Sequence, residues 1–214
     1  MTSEFMQPDL MPALPEMVML AMTCLVLVVD LFLPQEKRGF TLLLSITTLA
    51  LAIAAVIAVA PAGAVSSFGG SFVLDQLAVV LKIATCGVTV LVFVYSRDYL
   101  VDNSIYKGEY YVLGLFATLG MMVMISAHSF LLVYLGLELL SLSLYAMIAF
   151  NRNSLSASEA AMKYFVLGAM ASGLLLYGIS IFYGITGTLD LNQLSAAVTS
   201  QSSQHPIALG FALT

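Results

Sequence analysis

The sequence has very few charged residues. Asp, Glu, Lys and Arg make up 9% of its 214 residues, whereas 61% are hydrophobic. A water-soluble domain carries roughly 25% charged residues, so this composition excludes an ordinary soluble globular protein. Several apolar stretches are long enough to cross the hydrocarbon core of a bilayer, which takes about 20 residues of helix. The composition therefore predicts an all-α, polytopic transmembrane helical bundle.

Other scarce features exclude further classes of function. The basic residues form no cluster, so nucleic-acid binding is not expected. Cys24 and Cys86 lie in apolar stretches without CxxC or Cys/His spacing, which favours packing residues over a disulfide or a metal site. Paired histidines at haem spacing, a cysteine cluster, a glycine-rich nucleotide loop and a Ser/His/Asp set are all missing. We therefore expect no cofactor and no metal in this chain.

Apolar runs and polar loops divide the chain into six complete spans, at about 11–33, 40–60, 74–96, 109–127, 130–150 and 157–184. The polar stretches GGSF and SQSSQHP are typical of loops. A seventh apolar run, PIALGFALT, begins at about residue 206, and the sequence ends inside it, which indicates a piece of a longer protein. The first run follows the acidic residues Glu4 and Asp9 with no basic segment, so we expect a retained span rather than a cleaved signal peptide.

Basic loop residues lie on only one side of these spans. They occur in every second loop, as Lys37, Arg38, Arg97, Lys107 and Arg152. The intervening loops, 61–73, 128–129 and 185–205, contain no Lys or Arg. Because loops rich in Lys and Arg stay in the cytoplasm, the N-terminus is predicted to lie on the non-cytoplasmic side.

Glu138 is the strongest candidate functional residue. It lies in the fifth span, in YLGLELLSLSLYAMIAF, about 12–18 Å of helix from either end. Tyr134, Ser141 and Tyr145 fall on the same helical face, and such a polar stripe must face protein or water. The pattern favours a proton-transfer role. The alternative is a structural carboxylate, kept neutral by burial and hydrogen-bonded to those hydroxyls.

Lys163 lies near the start of the sixth span, in SASEAAMKYF, about 10 Å from the predicted helix start. Ser156 and Glu159 have the Ser-x-x-Glu spacing of a capping box. Glu159 also precedes Lys163 by four residues, which favours an ion pair. A lysine that reaches back to the cytoplasmic surface is the alternative to a buried functional group.

Spans five and six are joined by a short loop and are expected to pack side by side. Small residues on span six allow a close approach: Gly168, Ala169, Ser172 and Gly173. Glu138 and Lys163 should then differ in depth by about 8–10 Å. Side-chain length and one or two waters bridge such a gap, so a carboxylate and an amine in this arrangement predict a proton relay.

Three other titratable residues have weaker functional indications. Asp30 lies one turn before Pro34, and its depth favours a carboxylate at the cytoplasmic interface. Lys82 lies about eight residues into span three, where it must pair with a carboxylate elsewhere or reach a water-filled cavity. His128 precedes span five in SAHSF. The sequence is compatible with two roles for it, an ordinary interfacial histidine or a group that exchanges protons at an exit.

LGLELLSLSLYAMIAF and SASEAAMKYFVLGAMASGLLLYGISIFYGITGTLDL resemble the subunit N family of bacterial respiratory complex I, the NADH:quinone oxidoreductase, over residues 106–190. Upstream, LPEMVMLAMTCLVLVVD and FVLDQLAVVLK agree more loosely. The wider group is the antiporter-like membrane subunits, which are similar to subunits of multi-subunit cation/proton antiporters. The resemblance covers the whole chain but only about the first half of the family's length.

The resemblance implies that Glu138 and Lys163, the latter in the family's EAxxKY pattern, form the Glu–Lys pair at one end of a buried proton path. The family's further lysines lie in its seventh, eighth and twelfth helices, beyond this sequence. Ser143 stands where relatives carry a proline, and Lys82 matches no role in the family. On this basis residues 1–105 hold the first three helices and residues 106–214 begin the proton-translocating core.

The resemblance further implies a non-redox subunit of a hetero-oligomeric complex in the bacterial inner membrane, where it couples NADH:quinone electron transfer to proton pumping. NADH, FMN, Fe–S clusters and quinone would be used by other subunits. One alternative is a subunit of a cation/proton antiporter without redox activity. The other is a purely structural membrane subunit, in which Glu138 and Lys163 form an ion pair that fixes helix packing.

Overall fold

The computed structural model describes residues 9–34, 39–103, 105–191 and 193–194. These ranges contain six long helices: α1 (Leu14–Phe32), α2 (Gly39–Ala58), α3 (Gln76–Asp102), α4 (Glu109–Ser126), α5 (Phe130–Ile148) and α6 (Leu155–Thr186). Each is long and apolar enough to cross a membrane, which confirms the predicted multi-pass helical bundle. The predicted seventh run, at about residue 206, lies outside the described residues.

Two helices extend beyond the predicted spans. α3 continues to Asp102, six residues past the predicted end at residue 96. α6 begins two residues before residue 157, and its N-cap is Ser154, whose hydroxyl accepts a hydrogen bond of 3.3 Å from Ala157 N. The predicted capping box at Ser156 is therefore wrong in register, because Ser154 already occupies the capping position. With 32 residues, α6 is about 48 Å long and extends past the hydrocarbon core.

The loop between α2 and α3 is a β-hairpin, which the sequence reading described only as a polar loop. Strand β1 (Val65–Ser67) pairs antiparallel with strand β2 (Phe72–Leu74), with Ser67 opposite Phe72. The turn places Phe68, Gly69 and Gly70 at φ values of 51°, 67° and 92°. This left-handed backbone is accessible to glycine at little cost, so the GG pair permits a turn this tight.

The hairpin is part of a larger hydrogen-bonded structure, here named the loop cap, which comprises residues 65–74, 127–130 and 188–191. Isolated bridges connect Phe72 with Ala127 and Ser129 with Asp190. His128 N donates to Ser71 O at 2.7 Å, and Phe130 N donates to Leu189 O at 3.0 Å. The described parts of the loops without Lys or Arg therefore lie together at one end of the bundle, in agreement with the charge alternation.

α4 is the central helix. In its span 56% of the residues are buried, against 11% in α5 and in α6. It packs against α3 through an edge-to-face contact of Phe93 with Tyr111, with ring centroids 5.2 Å apart. Thr89 Oγ1 and Thr118 Oγ1 lie 3.1 Å apart across the same interface. The division at residue 105 stays a prediction, although α4 packs against helices on both sides of it.

Candidate functional site

Glu138 lies in α5, eight residues after the first residue of the helix, which corresponds to a depth of about 12 Å. Its side chain is half-buried and accepts a hydrogen bond at Oε1 from Ser172 Oγ of α6. Ser172 Oγ also lies 3.2 Å from Tyr134 OH, one turn before Glu138 on α5. Glu138, Ser172 and Tyr134 therefore form a polar group of three side chains between two membrane-spanning helices, here named the Glu138 cluster.

The stripe predicted beside Glu138 faces α6. Tyr145 packs edge-to-face on Tyr164 and Phe165 of α6, with ring centroids 5.0 and 5.6 Å away. Gly168 lies directly against the Tyr145 hydroxyl, so that no Cβ fits there. Gly168 thus allows the close approach that the small residues predicted. Gly173, in contrast, has no atom of the described residues within 4 Å of an added Cβ.

The position of α5 is also fixed on its other side, by a close crossing with α4. A Cβ added at Gly120 would lie 2.7 Å from Gly136 O, and one added at Gly136 would lie 2.8 Å from Gly120 O. Small residues at such a crossing let two membrane helices approach closely. Gly136 is two residues before Glu138, so this contact determines where the carboxylate lies. Ser143 donates to Leu139 O within an uninterrupted α5.

Lys163 forms the predicted ion pair with Glu159, at 2.6 Å between Nζ and Oε1. Both side chains are exposed, by 71% and 66%, so the pair lies on the outer surface of the described bundle. Nine residues separate Lys163 from Ser172 on α6, about 14 Å along the helix. The depth difference from Glu138 is therefore larger than the predicted 8–10 Å. The structure places the carboxylate against hydroxyls rather than against the Lys163 ammonium.

A second charged pair lies inside the bundle. Lys82 Nζ is 2.6 Å from Glu16 Oε1, and the side chains are 0% and 9% exposed. Lys82 Nζ also lies over the Phe72 ring, 5.0 Å from its centroid. This pair confirms the hypothesis that Lys82 meets a carboxylate of another helix.

Glu16 is the residue that sequence reasoning missed. It lies in the first turn of α1. A glutamate at the end of a membrane-spanning helix, taken by itself, suggests a carboxylate at the membrane interface. The available signal was positional: Glu16 and Lys82 each follow closely on the start of a helix, and those two helices run in the same direction. A charge so placed on each helix is at a similar depth, which is the condition for a buried pair.

Asp30 is half-buried at the opposite end of the bundle. Its Oδ1 accepts a hydrogen bond of 2.6 Å from Thr41 Oγ1 of α2. Its carboxylate also lies against Gly108, the N-cap of α4, where no Cβ fits. Asp30 thus touches the N-terminal turns of two helices, where negative charge is favourable. This placement agrees with the interfacial carboxylate predicted for Asp30.

The remaining candidates have local roles in the described residues. His128 Nε2 is buried without a hydrogen-bond partner there, while the His128 backbone belongs to the loop cap. Cys86 is buried with its Sγ 3.9 Å from Met122 Sδ, and Cys24 is exposed. Over the described ranges, no three His, Cys, Asp or Glu side chains are grouped in a way that could hold a metal ion.

Comparisons with known proteins show which proteins this chain is similar to. A family model described as NADH:quinone oxidoreductase/Mrp antiporter, TM, matches residues 127–214. NADH-quinone oxidoreductase subunit N of Thioalkalivibrio sulfidiphilus is 56% identical over 207 residues, covering 97% of this chain and 43% of the relative. The subunit of the same name from Alkalilimnicola ehrlichii is 54% identical over 209 residues, covering 97% and 43%.

Solved structures show the same fold. A chain of respiratory complex I from Thermus thermophilus aligns with a TM-score of 0.68 at 26% identity, covering 93% of this chain and 43% of that one. A chain of an archaeal membrane-bound sulfane sulfur reductase gives a TM-score of 0.73 at 22% identity, covering 96% and 43%. A chain of the Mrp complex from Dietzia sp. gives 0.68 at 21% identity, covering 95% and 40%.

The chain spans less than half the length of the curated relatives that it matches. The alignments with those relatives cover 97% of this chain. The resemblance suggested by the motifs around Glu138 and Lys163 is thus confirmed at the level of the family. The chain has the fold of the antiporter-like membrane subunits and is similar, over nearly its whole length, to the N-terminal part of NADH-quinone oxidoreductase subunit N.

Proposed function

We propose that this chain is the N-terminal part of a proton-translocating membrane-arm subunit of respiratory complex I. The observation that carries the proposal is the Glu138 cluster, a carboxylate hydrogen-bonded to hydroxyls between two membrane-spanning helices. A carboxylate inside a membrane span is expensive and marks proton or ion pathways. The 56% identity to a subunit N over nearly the whole chain supports the assignment to complex I.

In this proposal Glu138 takes up and releases a proton during each pumping cycle. Ser172 and Tyr134 carry hydroxyl groups that both donate and accept hydrogen bonds, so they can pass a proton to or from the Glu138 carboxylate. Lys163 is the second proton carrier, as the family pattern implies. Because about 14 Å of α6 separates Lys163 from Ser172, water molecules or residues of the remaining protein must bridge them.

The location and partners follow from the same proposal. The subunit lies in the bacterial inner membrane, with its N-terminus and the loop cap on the non-cytoplasmic side. Its partners are other membrane-arm subunits. Electron transfer from NADH through FMN and Fe–S clusters to quinone takes place in other subunits, which makes this chain a non-redox part of the translocase. Conformational or electrostatic changes elsewhere in the complex drive its protonation cycle.

The rival function is that of a cation/proton antiporter subunit without redox activity. The shared fold of the Mrp complex chain and the family description that names Mrp keep this alternative open. The two functions differ in what drives proton movement. A complex I subunit moves protons on addition of NADH, whereas an antiporter subunit moves protons in response to a sodium or lithium gradient with no NADH present.

The test is proton pumping by the assembled complex carrying Glu138→Gln, reconstituted in vesicles. We expect NADH oxidation to continue while protons pumped per NADH fall, because glutamine keeps the Ser172 hydrogen bond but cannot carry a proton. Thr89→Val is a matched control, since it also removes a polar group between two helices. The Thr89 hydroxyl contacts Thr118 between α3 and α4 and does not belong to the Glu138 cluster. Undiminished pumping by Glu138→Gln would contradict the proposal, and failure of Glu138→Gln to assemble, while Thr89→Val assembles, would favour the structural alternative.

A further inference from the structure

The Glu16–Lys82 pair lies directly beneath the loop cap. Glu16 is in the first turn of α1 and Lys82 in the second turn of α3, and both helices begin at the cap end of the bundle. The charged atoms of both residues are buried, in side chains that are 9% exposed for Glu16 and 0% exposed for Lys82. Each charge therefore depends on the other, and both depend on the cover above them.

Phe72 joins this pair to the cap. The Lys82 ammonium lies 5.0 Å from the centre of the Phe72 ring, a geometry in which the cation attracts the ring face. Phe72 is 4% exposed and begins strand β2. Its backbone bridges to Ala127, just before the start of α5. A continuous series of contacts thus runs from the ion pair through Phe72 to the entry of α5.

The cap in turn fixes the start of α5 against the end of α6. Ser129 caps α5 by accepting a hydrogen bond of 3.3 Å from Leu132 N, and it bridges to Asp190. Phe130 N donates to Leu189 O, beyond the end of α6. Since a helix transmits the placement of its first turn along its length, these bonds set how α5 faces α6. This orientation of α5 towards α6 brings the Glu138 carboxylate into hydrogen-bond contact with Ser172.

We propose that Glu16 and Lys82 are positioning residues for Glu138, acting through Phe72 and the loop cap. If one charge is removed, the other remains buried without its partner, and hydration by water lowers the cost of burying it. The cap is the cover that has to open for water to reach it. Opening the cap releases the start of α5 from α6, and the Glu138 cluster loses its geometry. Only the last step, from Glu138 to proton transfer, rests on the function proposed above.

The primary test is hydrogen–deuterium exchange, followed by mass spectrometry, on the assembled complex containing the full-length protein. Lys82→Met should raise the exchange rate of peptides covering 65–74 and 127–130 by about tenfold or more, because cap opening exposes their amides. Peptides from α4 should exchange as before. Replacing both charges, by Glu16→Gln with Lys82→Met, should return cap exchange toward that of the unmodified protein, because no lone charge remains.

Two further variants keep the proposal testable if Lys82→Met fails to assemble. Phe72→Leu retains the ion pair but removes the aromatic ring that the Lys82 ammonium contacts. It should raise cap exchange by a smaller factor than Lys82→Met does. Asp30→Asn changes a carboxylate at the opposite end of the bundle and is the control, for which cap exchange should not change. Unchanged cap exchange in Phe72→Leu, or in Lys82→Met where that variant assembles, would overturn the proposal.

Proton pumping separates positioning from direct participation. In the single-charge variant, protons pumped per NADH should fall together with the rise in cap exchange, and the double variant should recover both. Reduced pumping with unaltered cap exchange would overturn the positioning role, because the pair would then act on protons directly. If Glu138→Gln pumps normally, the proposed function fails, whereas the exchange result still decides whether the pair holds the cap.

Discussion

Gly120 at the crossing of α4 and α5 gives a prediction whose magnitude follows from distances. In Gly120→Ala the new Cβ would lie 2.7 Å from Gly136 O and 2.8 Å from Leu140 N, whereas ordinary contacts begin at 3.4 Å. Both neighbours are backbone atoms, so the helices must separate by several tenths of an ångström. Overpacking of this kind costs about 1–3 kcal/mol, and the better helix propensity of alanine offsets about 0.5–1 kcal/mol of that cost.

Gly173→Ala is the matched control, because an added Cβ there meets no described atom within 4 Å. The assay is the apparent Tm of the purified full-length protein in detergent, measured by size-exclusion chromatography after heating. A cost of 1 kcal/mol lowers Tm by about 2–4 °C in a domain of 150–250 residues and by less in a longer protein, so Gly120→Ala should melt a few degrees below Gly173→Ala. Equal Tm values for the two variants would refute the reasoning, because the crossing would then have room for a methyl group.

Three other predictions concern buried polar contacts. Lys82→Met should destabilise the protein by about 3–5 kcal/mol because Glu16 is left without its partner, and the double change Glu16→Leu with Lys82→Met should cost far less; denaturation of both variants checks this, and equal costs would contradict it. Ser172→Ala should lower protons pumped per NADH while Ser172→Thr retains most of the pumping, because threonine keeps the hydroxyl beside the Glu138 carboxylate; a pumping assay in vesicles decides, and equal loss in both would point to packing instead. Thr89→Val should cost about 0.6–1.7 kcal/mol through loss of its 3.1 Å contact with Thr118, measured as a Tm shift, and no shift would mean that the contact contributes nothing.

The helices of this protein were predictable because their signal is local. A run of about 20 apolar residues is sufficient to identify a span, and all six predicted spans correspond to helices. The polar stripe around Glu138 was also predictable, since residues one turn apart share a face in any helix. Its orientation toward α6 followed from the short loop and the small residues of that helix.

The features that were not predictable depend on contacts between distant residues. Glu16 and Lys82 are 66 positions apart, and nothing local to either shows that their side chains meet inside the bundle. The hairpin was not predictable because its strands have only three residues each. Its turn has the polar, glycine-rich composition that is typical of loops in general. The depth difference between Lys163 and Glu138 was predicted too small because it depends on how far α6 is shifted along α5, and only the contact of Glu138 with Ser172 shows this shift.

The buried pair also has a consequence for how this protein enters the membrane. Spans are synthesised in chain order, and a lone lysine costs about 2.5–3.5 kcal/mol at the centre of a span on insertion scales, and less in the second turn of α3, where Lys82 lies. Glu16 belongs to the first span and is already in place when the third span, with Lys82, is delivered. Pairing with Glu16, 66 residues earlier in the chain, lowers that cost once both spans are in the bilayer, which would make the N-terminal helix a membrane-embedded acceptor for a later one.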